Sequence, residues 1–400
     1  MRARRTGSVG GLTSILLGKQ ATSVWVPPDV SVAAATPPYA GALAAMAERL
    51  RPEQLLEVGS EFGLVGIAAA QAGWAREVHW VMRDVIGARV VRETLAARPV
   101  ASAAVALGEG PLDAPAATYD AIVVHQQPSR ALTELFLRQA AARLAPGGTM
   151  LLAGPVRKGV RVAAKVLEDI CEEVRREAVV QGAWVLSGRG VRPERGVDAP
   201  PPREEHADEI AGVAFRWLSS PGVFSADAVD PASALLLETI RLPHRGRLLD
   251  LGCGAGVLGL WSALRMPDLD VTMVDSDVAA VHCADAGIRL NGLANARAIL
   301  SDGIDALSGE RFDVVVMNPP VHRAGRSDAG LAQQFVRQAA HGIGRKGRLW
   351  LVAAPTVPVR GVLDELFTEV AVAEDDGRFR VYDAIRRPSR REERQAAADG

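Results

Sequence analysis

A glycine-rich turn at residues 247–260 constrains the fold of this chain more than any other stretch. The sequence there is RLLDLGCGAGVLGL, in which an apolar run containing Asp250 reaches Gly252, and Gly254 and Gly256 precede a second apolar run. The first run predicts a buried strand, and the second predicts a helix that opens directly from the turn. Three glycines at alternate positions leave no Cβ atoms there, so a ligand can lie against the backbone and the first amides of the helix.

The spacing of these glycines separates two kinds of cofactor. The dinucleotide-binding fingerprint is G-x-G-x-x-G, and its third glycine would stand where the chain has Val257, which disfavours a dehydrogenase. The sequence instead reads D-x-G-x-G-x-G. Glycine turns also arise simply because a helix packs closely on a sheet, so this motif needs support from the strands that follow.

Two further predicted strands end in a carboxylate. The run at residues 271–275, VTMVD, ends in Asp275, and a later run ends in Asp302. A carboxylate at the end of the second strand of such a unit accepts hydrogen bonds from ribose hydroxyl groups, which makes Asp275 a candidate cofactor ligand. The alternative for Asp275 is an ordinary helix N-cap, because Asp is favoured at that position.

The fourth predicted strand of this half ends in an Asn-Pro-Pro sequence. Residues 311–321 read RFDVVVMNPPV, so Asn318, Pro319 and Pro320 directly follow an apolar β-branched run. Proline donates no N–H and biases the residue before it toward extended conformations, which makes this loop stiff and rich in acceptors. Asn-Pro also marks plain loops, but after the three preceding strand ends it indicates a catalytic loop.

The first half of the chain looks like an altered copy of the second. Glu57 and Asp250 lie 193 residues apart (250 − 57), and Asp120 and Asp313 have the same separation (313 − 120). Alternating strand and helix patterns favour parallel sheets covered by helices. We therefore predict an α/β fold of two tandem Rossmann-like domains that arose by duplication. An unrelated first α/β domain would fit the periodicity but not the constant offset.

The copy lacks the residues that make the second half a candidate enzyme. Glu61 stands where the second half has Gly254, and its side chain is expected to project into the space of the cofactor. His-Gln-Gln-Pro at residues 125–128 stands where the second half has Asn-Pro-Pro. The N-terminal domain is therefore predicted to be degenerate and to bind no cofactor.

Composition predicts the domain boundaries. A chain of 400 residues, 48% of them apolar, is long enough for two or three domains with large cores. Residues 188–209 are rich in Gly, Pro, Arg and Glu and contain Pro-Pro-Pro at 200–202, which predicts a linker. We accordingly expect a degenerate domain at residues 1–187, a catalytic domain at 210–388 and a disordered tail at 389–400.

Charge and cysteine content indicate which partners and which cellular compartment to expect. The net charge of −1 gives no overall positive field for a nucleic acid, so any such contact must come from local clusters. The three cysteines have no spacing typical of a disulfide framework or a metal site, which fits a reducing compartment. No apolar run reaches transmembrane length and no signal-like run follows the basic N-terminus, so we expect a cytoplasmic protein without a membrane partner.

Taken together, these motifs resemble the ribosomal RNA small subunit methyltransferase C family and its large-subunit relative. The matching segments lie along most of the chain: GPVRKGV at residues 154–160, GVFS at 222–225, DPAS at 230–233, the glycine turn, Asn-Pro-Pro followed by His322, and RFRVYDAI at 378–385. The family consists of class I enzymes with duplicated methyltransferase domains. They use S-adenosyl-L-methionine to methylate the exocyclic N2 amine of a guanine in rRNA. The resemblance implies this activity here, with 16S rRNA favoured over 23S rRNA.

The resemblance also assigns roles to residues. It implies that S-adenosyl-L-methionine is held by Asp250, Gly252, Gly254, Gly256, Asp275, Asp302 and Asn318, with Asp302 at the adenine amino group. It implies catalysis by Asn318, Pro319 and Pro320, because the Asn318 side chain and the Pro319 carbonyl would orient the guanine amine. The family normally has an aromatic residue after Asn-Pro-Pro. Val321 stands there instead, so the target base stacks more weakly or another residue supplies a face.

Local basic clusters beside these segments are the candidates for RNA contact. The residues concerned are Val321, His322, Arg323 and Arg326 in the catalytic loop, and Arg157, Lys158 and Arg161 at a predicted helix entry in the N-terminal domain. Either cluster can also be a merely solvated surface. We expect ribosomal RNA or the small ribosomal subunit as the partner of a monomeric protein, with the N-terminal domain supplying RNA affinity.

Two other interpretations remain open on the sequence. Asn-Pro-Pro loops also serve methyltransferases that act on another planar nitrogen, such as a glutamine amide in a protein or an adenine amine. A non-catalytic RNA-binding factor of ribosome assembly is the alternative from another class of protein. The second alternative, a non-catalytic factor, is disfavoured because the candidate site residues are intact: Asp250, Asp275, Asp302 and Asn318.

Overall fold

The computed structural model describes residues 11–27, 36–225, 227–320, 322–323, 326–327 and 329–386. The chain forms two compact units, Met1–Pro201 and Pro202–Gly400, and each is built around a seven-stranded sheet. In each unit the buried apolar residues form two clusters, because successive side chains of a strand point to opposite faces of its sheet. The predicted α/β fold of two Rossmann-like domains is confirmed. In the described part of the chain, no helix has the length and apolarity needed to cross a bilayer.

The first unit has the strand order β5-β4-β3-β6-β7-β9-β8, in which β9 alone runs in the direction opposite to the other six strands. Strands β1 and β2 form a separate hairpin. The strands are β1 Gly11–Leu17, β2 Gln20–Val26, β3 Gln54–Val58, β4 Glu77–Met82, β5 Ala103–Leu107, β6 Tyr119–His125, β7 Leu144–Pro155, β8 Cys171–Val180 and β9 Ala183–Val191. The α-helices are α1 Ala40–Leu50, α2 Leu64–Ala72, α3 Val85–Ala97, α4 Arg130–Arg143 and α5 Val160–Ile170.

The second unit repeats this topology, with the strand order β14-β13-β12-β15-β18-β20-β19 and a separate hairpin of β10 and β11. The strands are β10 Glu204–Ile210, β11 Val213–Ser219, β12 Arg245–Leu251, β13 Asp268–Asp275, β14 Ala296–Leu300, β15 Phe312–Met317, β16 His322–Arg323, β17 Arg326–Ser327, β18 Ile343–Ala353, β19 Phe367–Asp375 and β20 Arg380–Arg386. The α-helices are α6 Pro231–Thr239, α7 Val257–Arg265, α8 Val278–Leu290, α9 Ala329–Gly342 and α10 Arg360–Leu366.

The strand order of the second unit determines where its ligand crevice lies. The chain runs outward from β12 through β13 to β14 and then returns to the other side of β12 as β15. In open α/β sheets, the carboxyl ends of the two strands at such a reversal flank the ligand crevice. Asp250 pairs in register with Val316, so Gly252 and Asn318, each two residues further along, follow neighbouring strands at the same edge of the sheet.

The offset of 193 residues extends well beyond the two residue pairs that predicted duplication. It relates β1 to β10 (204 − 11), α2 to α7 (257 − 64) and β5 to β14 (296 − 103). After β6 and β15 the offset becomes 199, as for α4 and α9 (329 − 130). The second unit is therefore six residues longer (199 − 193) in the segment that contains Asn-Pro-Pro.

The structure places strands at both ends of the segment that composition predicted to be a linker, residues 188–209. Strand β9 continues to Val191 and β10 begins at Glu204, so the connection between the two strands is shorter than the predicted linker. Gly188 lies within β9, and a Cβ atom there would lie 2.7 Å from the Sγ of Cys171 in the neighbouring strand β8. Composition misidentified this glycine because packing against a neighbouring strand requires it. The tail at 389–400 lies outside the described residues.

Candidate active site

The glycine turn is folded back onto the neighbouring strand β13. The amides of Gly252 and Cys253 both donate to the Val274 carbonyl oxygen, at 2.9 Å. Gly252, Gly254 and Gly256 have φ angles of 77°, 54° and 85°. These values lie in the left-handed region, which residues with a Cβ atom rarely adopt, so the turn depends on glycine for its backbone path.

Asp250 is a buried carboxylate with one satisfied oxygen. Its Oδ2 accepts a hydrogen bond of 2.9 Å from the Gly259 amide, whereas its Oδ1 has no partner. The pKa of Asp250 is raised to about 7, mainly by burial; the hydrogen bond from the Gly259 amide lowers it and the nearby Asp275 carboxylate raises it to a smaller extent. A buried acceptor without a partner is costly, so this oxygen is suited to a cationic or donor group of a ligand.

Asp275 is tied to the turn and is not the N-cap of the next helix. Its Oδ2 accepts from the Gly254 amide at 2.9 Å, and its Oδ1 accepts from the Asp277 amide at 2.9 Å. Asp277 caps α8 by accepting from the Ala279 amide at 2.7 Å. The N-cap alternative for Asp275 is therefore wrong. The adjacent strand end, before Asp302, is fixed by a 2.9 Å hydrogen bond from the Ser301 amide to the Asp275 carbonyl oxygen.

The three glycines of the turn have different surroundings. A Cβ atom on Gly256 would lie 2.9 Å from the Ala284 Cβ, so close packing of α7 against α8 accounts for this glycine. A Cβ atom on Gly252 would lie 3.0 Å from the Phe335 ring. One on Gly254 would lie 3.6 Å from the Cβ of Phe224, whose side chain is 60% exposed.

Sequence reasoning missed both of these aromatic neighbours. Phe335 belongs to α9, which follows β15, and Phe224 precedes α6, so each is remote in sequence from the turn. The only signal was that Phe224 lies in the GVFS segment, one of the segments that carried the family resemblance. That resemblance had given Phe224 no role.

Asn318 stands at the end of β15 with its amide nitrogen engaged. Its Nδ2 donates to Asp230 Oδ1 at 2.9 Å and to Ser233 Oγ at 3.1 Å, both at the start of α6. The amide oxygen therefore faces away from α6. Of the two prolines that follow, Pro319 is buried and Pro320 is exposed.

The segment after Asn-Pro-Pro forms a small β-ladder. The backbones of His322 and Arg323 pair antiparallel with those of Ser327 and Arg326. Val321 and the side chains of His322, Arg323 and Arg326 lie outside the part of the chain that is described, so the predicted contacts of these residues remain predictions.

The predicted basic cluster of the first unit is exposed. Arg157 and Lys158 lie in a 3-10 turn, Val156–Lys158, and Arg161 lies in the first turn of α5. The Arg161 guanidinium stands 5.5 Å from the centre of the half-buried Trp184 ring, and Arg176 stands 4.9 Å from the same ring. The cluster thus combines positive charge with an aromatic surface.

In the first unit, the position that corresponds to Asp250 has no unsatisfied oxygen. Glu57, 193 residues earlier, is fully buried, and its Oε1 lies 2.8 Å from His125 Nε2. Its Oε2 accepts from the Gly66 amide at 2.6 Å and from Trp80 Nε1 at 3.1 Å. Both oxygens are satisfied by the protein itself.

A side chain also covers the glycine turn of the first unit. The Gln127 Nε2 donates to the carbonyl oxygen of Gly59, the residue that corresponds to Gly252, at 2.8 Å. A Cβ atom on Gly59 would lie only 2.3 Å from this nitrogen. The space over Gly59 is therefore occupied by the chain's own amide.

The strand order, the glycine turn with its acidic neighbours and the Asn-Pro-Pro loop together define a class I methyltransferase. Residues 214–383 match the methyltransferase small domain family. The chain is 30% identical over 266 residues to a ribosomal RNA small subunit methyltransferase C from Pseudoalteromonas atlantica, covering 66% of this chain and 77% of that protein. It is 32% identical over 282 residues to the same enzyme from Pseudomonas fluorescens, covering 69% and 82%. The chain belongs to the ribosomal RNA small subunit methyltransferase C family.

A solved structure agrees over nearly the whole length. The 16S rRNA N2 G1207 methyltransferase of T. thermophilus, in complex with AdoMet and guanosine, superimposes with a TM-score of 0.76. The match has 28% sequence identity and covers 94% of this chain and 98% of that one. Both halves of the duplicated architecture therefore have a counterpart in a known protein.

Proposed function

We propose that this protein transfers a methyl group from S-adenosyl-L-methionine to the exocyclic N2 amine of a guanine in 16S rRNA. The names of its relatives and the AdoMet and guanosine complex of the T. thermophilus enzyme support this substrate class. Within this chain, the observation that carries the proposal is Asn318. It follows the strand that neighbours the one leading into the glycine turn, and its amide oxygen faces away from α6.

The residues of the glycine turn fit S-adenosyl-L-methionine, which supplies a sulfonium methyl group when bound. The buried Asp250 oxygen without a partner suits the ammonium group of the methionine end. Gly252 and Gly254 have no side chains that would keep a ligand from the backbone, and we assign the ribose hydroxyls to the Asp275 carboxylate at the end of β13. We assign the adenine amino group to Asp302, at the next strand end.

The chain's own part in the reaction is to orient a poor nucleophile. The lone pair of the guanine amine is delocalised into the ring. When Asn318 Oδ1 and the Pro319 carbonyl accept the two amine hydrogens, the lone pair is directed toward the methyl group. The same two acceptors stabilise the positive charge that develops on the nitrogen during transfer.

The first unit is proposed to supply RNA affinity and no chemistry. Arg157, Lys158 and Arg161 would contact phosphates, which positions an RNA without reading its sequence. Arg323 and Arg326 would make further RNA contacts beside the catalytic loop. We also propose that the protein acts as a monomer in the cytoplasm, where its rRNA substrate is found.

Nucleoside analysis tests the function directly. The protein would be incubated with labelled S-adenosyl-L-methionine and either free, unmodified 16S rRNA or small subunits that contain it, and the digested RNA examined by mass spectrometry. N2-methylguanosine is the expected product. Label in methyladenosine, in protein glutamine or in no product at all would overturn the proposal in favour of one of the alternatives.

We expect one S-adenosyl-L-methionine per chain. In the first unit both oxygens of the Glu57 carboxylate are hydrogen-bonded and Gln127 covers the turn at Gly59, so we expect the cofactor to bind only in the second unit. Isothermal titration measures the stoichiometry, and two sites per chain would contradict the proposal. As a matched control, Gly254→Glu copies the Glu61 of the first unit into the second and should abolish binding.

Cofactor affinity should fall as the pH is lowered through 7. Binding an ammonium group requires the ionised form of Asp250, whose pKa in the free protein is about 7, so the affinity is full above that pH and lost below it. The dissociation constant of S-adenosylhomocysteine, whose amine stays protonated in this range, should be about tenfold higher at pH 6 than at pH 8. Asp250→Asn should bind weakly at both values. An unchanged affinity of the wild type would show that Asp250 does not face the amine.

A further inference from the structure

We propose that Asp230 and Ser233 are positioning residues that hold the Asn318 amide with its oxygen toward the target amine. The inference rests on the proposed function, since it concerns the orientation of the group that binds the guanine. It adds a second segment of the chain, the start of α6, to the catalytic apparatus.

The hydrogen bonds determine which end of the amide faces the substrate. The nitrogen and oxygen of an asparagine side chain have nearly the same shape, so packing alone hardly distinguishes the two orientations. Asp230 Oδ1 lies 2.9 Å from Asn318 Nδ2, and a carboxylate accepts hydrogen bonds but donates none. Rotating the amide by half a turn would place its oxygen against the carboxylate, and the repulsion between the two oxygens disfavours that state. It would also aim N–H groups at the guanine amine, which needs acceptors.

The start of α6 holds Asp230 firmly. The same Oδ1 accepts from the amides of Ala232 at 3.0 Å and Ser233 at 3.1 Å, which makes Asp230 the N-cap of the helix. Pro231 at the first helical position has a fixed φ that favours this conformation. The Ser233 side chain, 6% exposed, has little freedom to move away from Asn318. The two acceptors are thus in place before any substrate binds.

The first unit has lost all three residues together. At the offset of 193, Asn318, Asp230 and Ser233 correspond to His125 (318 − 193), Pro37 (230 − 193) and Ala40 (233 − 193). The register is supported by the matching burial of Leu43 and Leu236.

The corresponding helix of the first unit forms without such a cap. Helix α1 begins after Tyr39, whose side chain makes no capping hydrogen bond. At the offset of 193 the counterpart of Asp230 is Pro37, which lies before this helix start, so the helix of the first unit forms without an Asp at that position. The three polar residues are present together only in the unit that has the D-x-G-x-G-x-G turn, which points to a role in the reaction in addition to the capping of the helix.

We expect substitutions of Asp230 and Ser233 to lower kcat without weakening the binding of the cofactor. Asp230→Ala should lower kcat at least about tenfold, because the Asn318 amide loses the charged acceptor that fixes it and its oxygen is no longer held in place as charge develops on the target amine. Ser233→Ala removes one hydrogen bond and leaves the cap intact, so we expect a smaller decrease of about threefold. The dissociation constant of S-adenosyl-L-methionine should stay unchanged in both variants.

A matched control separates this effect from the loss of a helix cap. Asp84 caps α3 in the first unit with the same two-amide geometry, accepting from Ile86 at 2.7 Å and Gly87 at 3.3 Å. Asp84→Ala should lower the unfolding temperature as Asp230→Ala does, and it should keep the wild-type kcat. If Asp230→Ala fails to fold, Ser233→Ala decides the question alone, since it retains the cap.

A double-mutant cycle gives the decisive measurement. If Asp230 acts through Asn318, then Asp230→Ala should cause no further loss of kcat in an Asn318→Ala protein. Multiplicative losses, an unchanged kcat in Asp230→Ala and Ser233→Ala, or weaker cofactor binding in proportion to kcat would overturn the inference. These outcomes leave the proposed function standing, because that is tested separately by N2-methylguanosine formation in the wild-type protein.

Discussion

Replacing Asn318 with alanine is expected to lower kcat about 10²-fold or more, the scale of losing an interaction made in the transition state. The side-chain oxygen is proposed to accept a hydrogen from the guanine amine and to stabilise its developing charge. The amide nitrogen is already committed to Asp230 and Ser233, so alanine removes an oriented acceptor. Methyl transfer to 16S rRNA under saturating conditions measures the effect, and isothermal titration should show cofactor affinity nearly unchanged.

Asn291 offers a matched control for this variant. Its Nδ2 also donates two hydrogen bonds, to the carbonyl oxygens of Arg216 at 2.6 Å and Gly287 at 2.7 Å, at the end of α8. Asn291→Ala should reduce stability and leave kcat unchanged. If Asn318→Ala kept near-normal turnover, Asn-Pro-Pro would be a structural loop in this protein and the proposed catalytic role would be wrong.

Reversing the charges of Arg157, Lys158 and Arg161 to glutamate should raise the KM for RNA at least tenfold at low salt, because three phosphate contacts become repulsive. Phosphate contacts release counterions, and three of them on single-stranded RNA contribute a slope of about two in the logarithm of affinity against salt. The variant should therefore show a flatter salt dependence. Cofactor binding, which we propose for the second unit alone, should not change.

A second triple reversal controls for net charge. Arg51, Arg76 and Arg98 are exposed residues of the first unit that lie near the amino ends of its strands, whereas the basic cluster follows the carboxyl end of β7. Reversing either set lowers the net charge by the same amount, from −1 to −7 (−1 − 6). Equal increases in the KM for RNA from the two sets would indicate that the overall charge of the protein, and not the basic cluster, determines RNA affinity. An unchanged KM for the Arg157, Lys158 and Arg161 variant at low and high salt would show a merely solvated helix start.

Short segments of the sequence determined the class of fold and the place of the candidate site. A strand, a glycine turn and a helix are specified by neighbouring residues, because apolar periodicity and positive φ angles are local properties of the chain. The repeated offset revealed the duplication because both copies kept the spacing of their elements. Local sequence also located Asp250, Asp275 and Asn318 at strand ends, which the sheet then brought to one edge.

Only the tertiary structure decided which side chains complete the site. Asn318 meets Asp230 and Ser233 across 88 and 85 residues of sequence, and Phe335 reaches Gly252 from a helix beyond the Asn-Pro-Pro loop. The same holds for Gln127, whose amide covers the turn of the first unit. Such contacts depend on the register between β12 and β15 and on the packing of helices against them. No local pattern encodes that register, because it is fixed by the combined packing of segments that are distant in sequence.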